Sequence, residues 1–158
     1  MKLSWLVVTS LFIHIMGFSQ LEDDFSDGDF TNNPSWGGTT GDFIVNTDGR
    51  VQLNALTAGV SCLSTSNQLT TLDDKEWRFN IRLNFSPSGG NKADVYLASA
   101  SSDLTTLPDG IFLQFGEGGS LDAIRLFSRI GGVNTQILEG TAGAIATSFD
   151  ISVKVTYS

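Results

Sequence analysis

Residues 76–85 read Glu-Trp-Arg-Phe-Asn-Ile-Arg-Leu-Asn-Phe, an unbroken alternation of polar and apolar side chains. A strand sends successive side chains to opposite faces, so Trp77, Phe79, Ile81, Leu83 and Phe85 share one side and Glu76, Arg78, Asn80, Arg82 and Asn84 the other. A helix would scatter the same apolar residues around its circumference. Residues 149–157 repeat the pattern, with Phe149, Ile151, Val153, Val155 and Tyr157 in one phase and Asp150, Ser152, Lys154 and Thr156 in the other. Two long strands with one oily face each need a second layer to cover them.

Shorter strand-like runs fill the intervals, at 43–45, 51–53, 60–64, 95–99, 111–115, 123–129 and 135–138. Turn chemistry separates them: Asp48-Gly49 as a tight hairpin, residues 86–91, Pro108-Asp109-Gly110, residues 116–119 and Gly131-Gly132. Regularly punctuated short strands without helical periodicity predict an antiparallel all-β sandwich or barrel. Ser158 follows directly on an alternating strand, with no turn or polar tail after it. A long strand left unpaired is an aggregation hazard, so the chain reads as a domain truncated before its last strands. A plain final edge strand is the alternative.

Residues 1–19 stand apart. Lys2 precedes a mostly apolar run, and Gly17 and Ser19 are small residues at −3 and −1 of a cleavage site before Gln20. This is the layout of a secretory signal, too short and too interrupted for a membrane span. Residues 20–158 then form one domain, secreted or displayed on the outer surface. Cleavage removes His14 and both methionines, so Ser-His-Asp, Cys-His and His-ligated zinc chemistry are excluded. It leaves 8 basic and 17 acidic residues, a net charge of −9, which disfavours nucleic acid and anionic membranes as partners. Cys62, the single cysteine, reads as a small buried strand residue.

Residues 23–46 (DDFSDGDFTNNPSWGGTTGDFIVN), 77–99 (WRFNIRLNFSPSGGNKADVYLAS) and 112–127 (FLQFGEGGSLDAIRLF) occur in that order. They resemble the concanavalin A-like, lectin/glucanase-type modules at the front of secreted Bacteroidota-type surface proteins, which often precede lamin-tail and sorting domains. The resemblance implies an antiparallel jelly-roll β-sandwich. It also implies further domains downstream in the same chain.

Glucanases of that type carry paired carboxylates on one strand, close to E-x-D-x-x-E. Retaining glycoside hydrolysis needs such a pair about 5–5.5 Å apart. No expected strand here has that spacing, so the chain reads as non-catalytic, a glycoside hydrolase fragment being the weaker reading. Five carboxylates crowd residues 22–29. A structural calcium ion would take Asp27 and Asp29 first, although Asp-x-Asp with glycine is also ordinary turn chemistry. Arg78, Arg82, Arg125, Arg129 and Lys154 occupy the polar phase of three strands, with Phe127 among them and Tyr96 and Phe112 in a phase that can join it. Arginine and exposed aromatic rings on a sheet suit sugar recognition, and guanidinium groups favour anionic glycans. The same residues also describe the wet side of a sheet. Trp36, beside two glycines, is a ligand platform or an edge plug. The expected function is therefore an extracellular glycan-binding module, with a structural spacer carrying downstream domains as the alternative.

Overall fold

A computed structural model describes residues 21–67 and 69–158. The expected leader, residues 1–19, lies outside them. The described chain is nearly all β. Its strands in order are β1 (Gly37–Gly38), β2 (Phe43–Val45), β3 (Val51–Leu53), β4 (Leu63–Ser64), β5 (Lys75–Leu83), β6 (Ala93–Ser99), β7 (Gly110–Phe115), β8 (Ile124–Ile130), β9 (Val133–Glu139) and β10 (Phe149–Tyr157). Two 3-10 turns, Thr40–Asp42 and Leu104–Thr106, interrupt them.

Two antiparallel sheets form the body. One runs β6-β7-β8-β9; the other pairs β5 with β10 along their whole length, from Lys75↔Tyr157 to Leu83↔Phe149. The alternation in β5 and β10 drives this arrangement, because each apolar phase must find cover. Leu113, Phe115 and Ile145 lie at the centre of the core. Phe79, Ile81, Leu83, Ile151, Val153 and Val155 pack on them from the two-stranded sheet, and Ala93, Val95, Ile124 and Leu126 from the four-stranded one. Phe115, fully buried, meets Phe79 edge to face at 6.3 Å and stacks on Phe149 at 6.1 Å. Phe85, expected in this seam, falls past the end of β5 and is 38% exposed.

The cover is narrower than the sheet beneath it. Leu138 pairs with the core-facing Leu126 and so shares its phase, yet it is 64% exposed. Ile130 and Val133, paired at the far end of the same two strands, are also open to solvent.

Gly131 and Gly132 are the whole β8–β9 connection, and both have positive φ (60° and 79°), as a type I′ hairpin turn requires. The Asp109 carboxylate accepts from both their backbone N–H groups, at 2.9 and 3.3 Å, tying the β6–β7 loop to this turn. The β2–β3 turn is organised by Asn46, whose side-chain oxygen accepts from the N–H groups of Asp48 and Arg50. In the N-terminal part β1 pairs with β4, and Thr39 and Cys62 exchange hydrogen bonds of 2.9 Å. Cys62 is buried there, directly before β4.

Candidate functional site

Residues of β6–β9 that face away from the core line up in three cross-strand rows, fixed by register. The first contains Asp94, Gln114, Arg125 and Glu139; the second Tyr96, Phe112, Phe127 and Gln136; the third Gly110, Arg129 and Asn134. The aromatic row is stacked. Tyr96 and Phe112 lie 4.9 Å apart between centroids, and Phe112 and Phe127 5.5 Å, with interplanar angles of 26° and 20°. Phe112 is 1% exposed, while Tyr96 and Phe127 are half-buried, so the middle ring backs two partly open ones. Burial pushes the Tyr96 phenol above its usual range, with Arg129 opposing the rise and Asp94 adding to it.

Polar rows flank the rings. The Arg129 guanidinium lies 5.9 Å from the Phe112 centroid, donates to Asn134 Oδ1 at 2.7 Å and reaches the Leu107 carbonyl at 2.9 Å. On the other side Gln114 donates to Asp94 at 3.3 Å. Arg125 is ion-paired with Glu117 and, at 3.1 Å, with Glu139. The hydrogen bond from Arg125, with another from Gln136, holds the Glu139 carboxyl below its ordinary range. The Arg125 Nε is buried without a partner among the described residues. Asp122, 1% exposed, accepts from the Glu117 N–H at 2.8 Å and so acts as a loop cap.

The expectation of one face carrying all four arginines is corrected by the topology. Arg78 and Arg82 sit on β5, in the phase opposite Phe79 and Ile81, so they point away from the core on the other sheet. Arg125, Phe127 and Arg129 do share a face, and Tyr96 and Phe112 join them. Arg78 is paired with Glu76, and Arg82 donates to Asn84 at 2.7 Å. Lys154 also pairs with Glu76, so this carboxyl too is held below its usual range, first by Lys154 and then by Arg78.

Trp36 is half-buried, donates from its indole nitrogen to Asp23 at 2.8 Å and lies 6.1 Å from the Phe25 ring. It packs within the N-terminal segment. Asp27 and Asp29 close successive turns: Asp27 accepts from the Asp29 N–H, and Asp29 from Thr31 and Asn32. The Thr31 backbone and hydroxyl and the Asn32 amide hold Asp29 below the usual carboxylate range. Among the described residues no three acidic, histidine or cysteine side chains converge as metal ligands. Nor is any helix among them long and apolar enough to cross a membrane.

The stacked row was half legible from sequence: the phases of Tyr96, Phe112 and Phe127 were readable, their alignment was not. The sequence also held no signal for Glu117 and Glu139 on Arg125, which needs the fold. No family model, no curated protein and no solved structure matches the chain.

Proposed function

We propose that this chain is a non-catalytic β-sandwich module of the jelly-roll type, exported to the cell surface or medium, that binds a neutral glycan on the outer face of β6–β9. The stacked row of Tyr96, Phe112 and Phe127 between two polar rows carries the reading. A sugar ring presents a flat patch of C–H groups that packs on the open ring surface of Tyr96 and Phe127, with Phe112 buried between them as their support, while its hydroxyls need mixed donors and acceptors around the rim. Asp94, Gln114 and Arg129 supply that rim. The resemblance of residues 23–46, 77–99 and 112–127 to concanavalin A-like modules supports the same reading.

The sequence alone favoured anionic glycans. The face now argues for neutral ones, because Arg125 is neutralised by Glu117 and Glu139 and Lys92 by Asp94. A sulfate or uronate would meet as much negative charge as positive, since Glu117, Glu139 and Asp94 match Arg125, Arg129 and Lys92. A glycan array followed by titration calorimetry tests this. Neutral oligosaccharides should bind with little salt dependence, Tyr96→Ala and Phe127→Ala should abolish binding, and Arg78→Ala should leave it unchanged. Absence of any glycan binding would give first place to the spacer reading, which the internal partners of these charged side chains favour.

A further inference from the structure

Among the described residues, four strand edges of the two sheets have no neighbouring strand, and they are not equivalent. The outer strands of the larger sheet, β6 and β9, each carry a register shift, at Leu97 and at Ile137. Bulges of this kind blunt an edge against further pairing. By contrast, β5 and β10 run unbroken, without proline, glycine or bulge. Among the described residues, no backbone hydrogen bond joins either of them to anything but the other.

The side chains of β10 are self-complementary. Lay a second β10 antiparallel against its free edge with Ser152 opposite Ser152. Asp150 of each copy then faces Lys154 of the other, twice by symmetry, on the solvent side. On the core side Phe149 meets Val155 and Ile151 meets Val153, so that row is wholly apolar. Antiparallel cross-strand pairs of opposite charge and of apolar residues both stabilise a sheet. Strand β5 has charge-matched registers of its own, Glu76 against Arg82 or against Arg78, but they set Lys75 against Leu83 or Phe79 in the core-facing phase. Asp150 and Lys154 are each held on the surface by an internal ion pair, with Arg50 and with Glu76 at 2.8 Å, and both are about half exposed. Exposed pairs of this kind are weak enough to be shared.

The geometry points to a second copy of this chain as the occupant of the β10 edge: two copies join through antiparallel β10 strands with Ser152 on the two-fold axis, fusing two two-stranded sheets into one of four strands. This is an isologous contact, in which the same patch serves on both sides. It does not depend on the glycan reading and uses the opposite side of the sandwich.

Sedimentation velocity on the purified chain over a concentration series tests it, with circular dichroism confirming that each variant is folded. The native chain should show a monomer–dimer equilibrium. Lys154→Glu sets like charges opposite each other twice and should weaken the dimer about 100-fold. The double exchange Asp150→Lys with Lys154→Glu restores the pairs in reverse and should recover affinity to within about tenfold. Arg82→Glu, on the β5 edge, should leave the dimer intact. A chain monomeric at every concentration would assign the edge to some other strand and overturn the proposal. So would a dimer indifferent to Lys154→Glu, a double exchange that fails to recover, or a dimer lost with Arg82→Glu.

Discussion

The Trp36 indole N–H donates to the Asp23 carboxylate across 2.8 Å, and the ring leans on Phe25 at a 48° tilt. Two residues thirteen positions apart thereby fasten the N-terminal segment to itself. Trp36→Phe keeps the ring contact and loses the hydrogen bond, so it should cost about 1 kcal/mol of stability in urea denaturation. Trp36→Ala should cost clearly more. A glycan-binding role for Trp36 would show instead as lost binding with unchanged stability.

The register of β5 makes a prediction about neighbours. Phe79 packs on Phe115, whereas Asn80 faces solvent and accepts from the Ser152 hydroxyl at 2.6 Å. Phe79→Ala should cost about 3 kcal/mol, and Asn80→Ala no more than about 0.5 kcal/mol. Equal costs in a denaturant titration would mean that the strand is turned over.

Acid should loosen the outer face of β6–β9. Glu139 has its folded-state carboxyl below the ordinary glutamate value of 4.5, through Arg125 and then Gln136. A depressed value means that the pair contributes in full above the unfolded value and is lost as pH falls through the folded one. The loss therefore begins below about 4.5 and not near neutrality. NMR titration of Glu139 should show its midpoint move up toward 4.5 in Arg125→Gln, and a midpoint that stays put would refute the pairing.

Gly110 opens β7 close against the backbone of β6. A Cβ there would stand 2.4 Å from the Ala98 carbonyl oxygen and 3.2 Å from the Tyr96 ring. Gly110→Ala must push the strands apart, so it should cost about 1–3 kcal/mol and displace Tyr96. Near-ultraviolet circular dichroism would register the lost stacking, and an unchanged spectrum would contradict it.

Much of this fold was legible because its evidence is local. Strand β10 falls where alternation sets it, β2 and β3 where the short strand-like runs do, and β5 to β9 within a residue or two at each end, whereas only Leu63 and Ser64 of the expected 60–64 are strand, as β4. Gly131-Gly132 makes the turn that two adjacent glycines favour. What alternation cannot give is which sheet a strand joins. Arg82 and Arg125 both occupy a polar phase, and phase fixes the side of a strand, not the side of the molecule. The four arginines therefore looked like one face and are two. Phe85 misled for a related reason: it keeps the alternation two residues past Leu83, but hydrogen bonding to β10 has already stopped at Phe149.

The Asp109 carboxylate, holding two consecutive backbone N–H groups across the mouth of the β8–β9 hairpin, bears on how a ligand would be met. With the Leu107 carbonyl also accepting from Arg129, residues 107–109 are tethered to the strand that carries Phe127 and Arg129. Their conformational freedom is surrendered when the chain folds, so little is left to lose on association. Whatever meets this end of the sheet meets a loop whose shape the hairpin has already set.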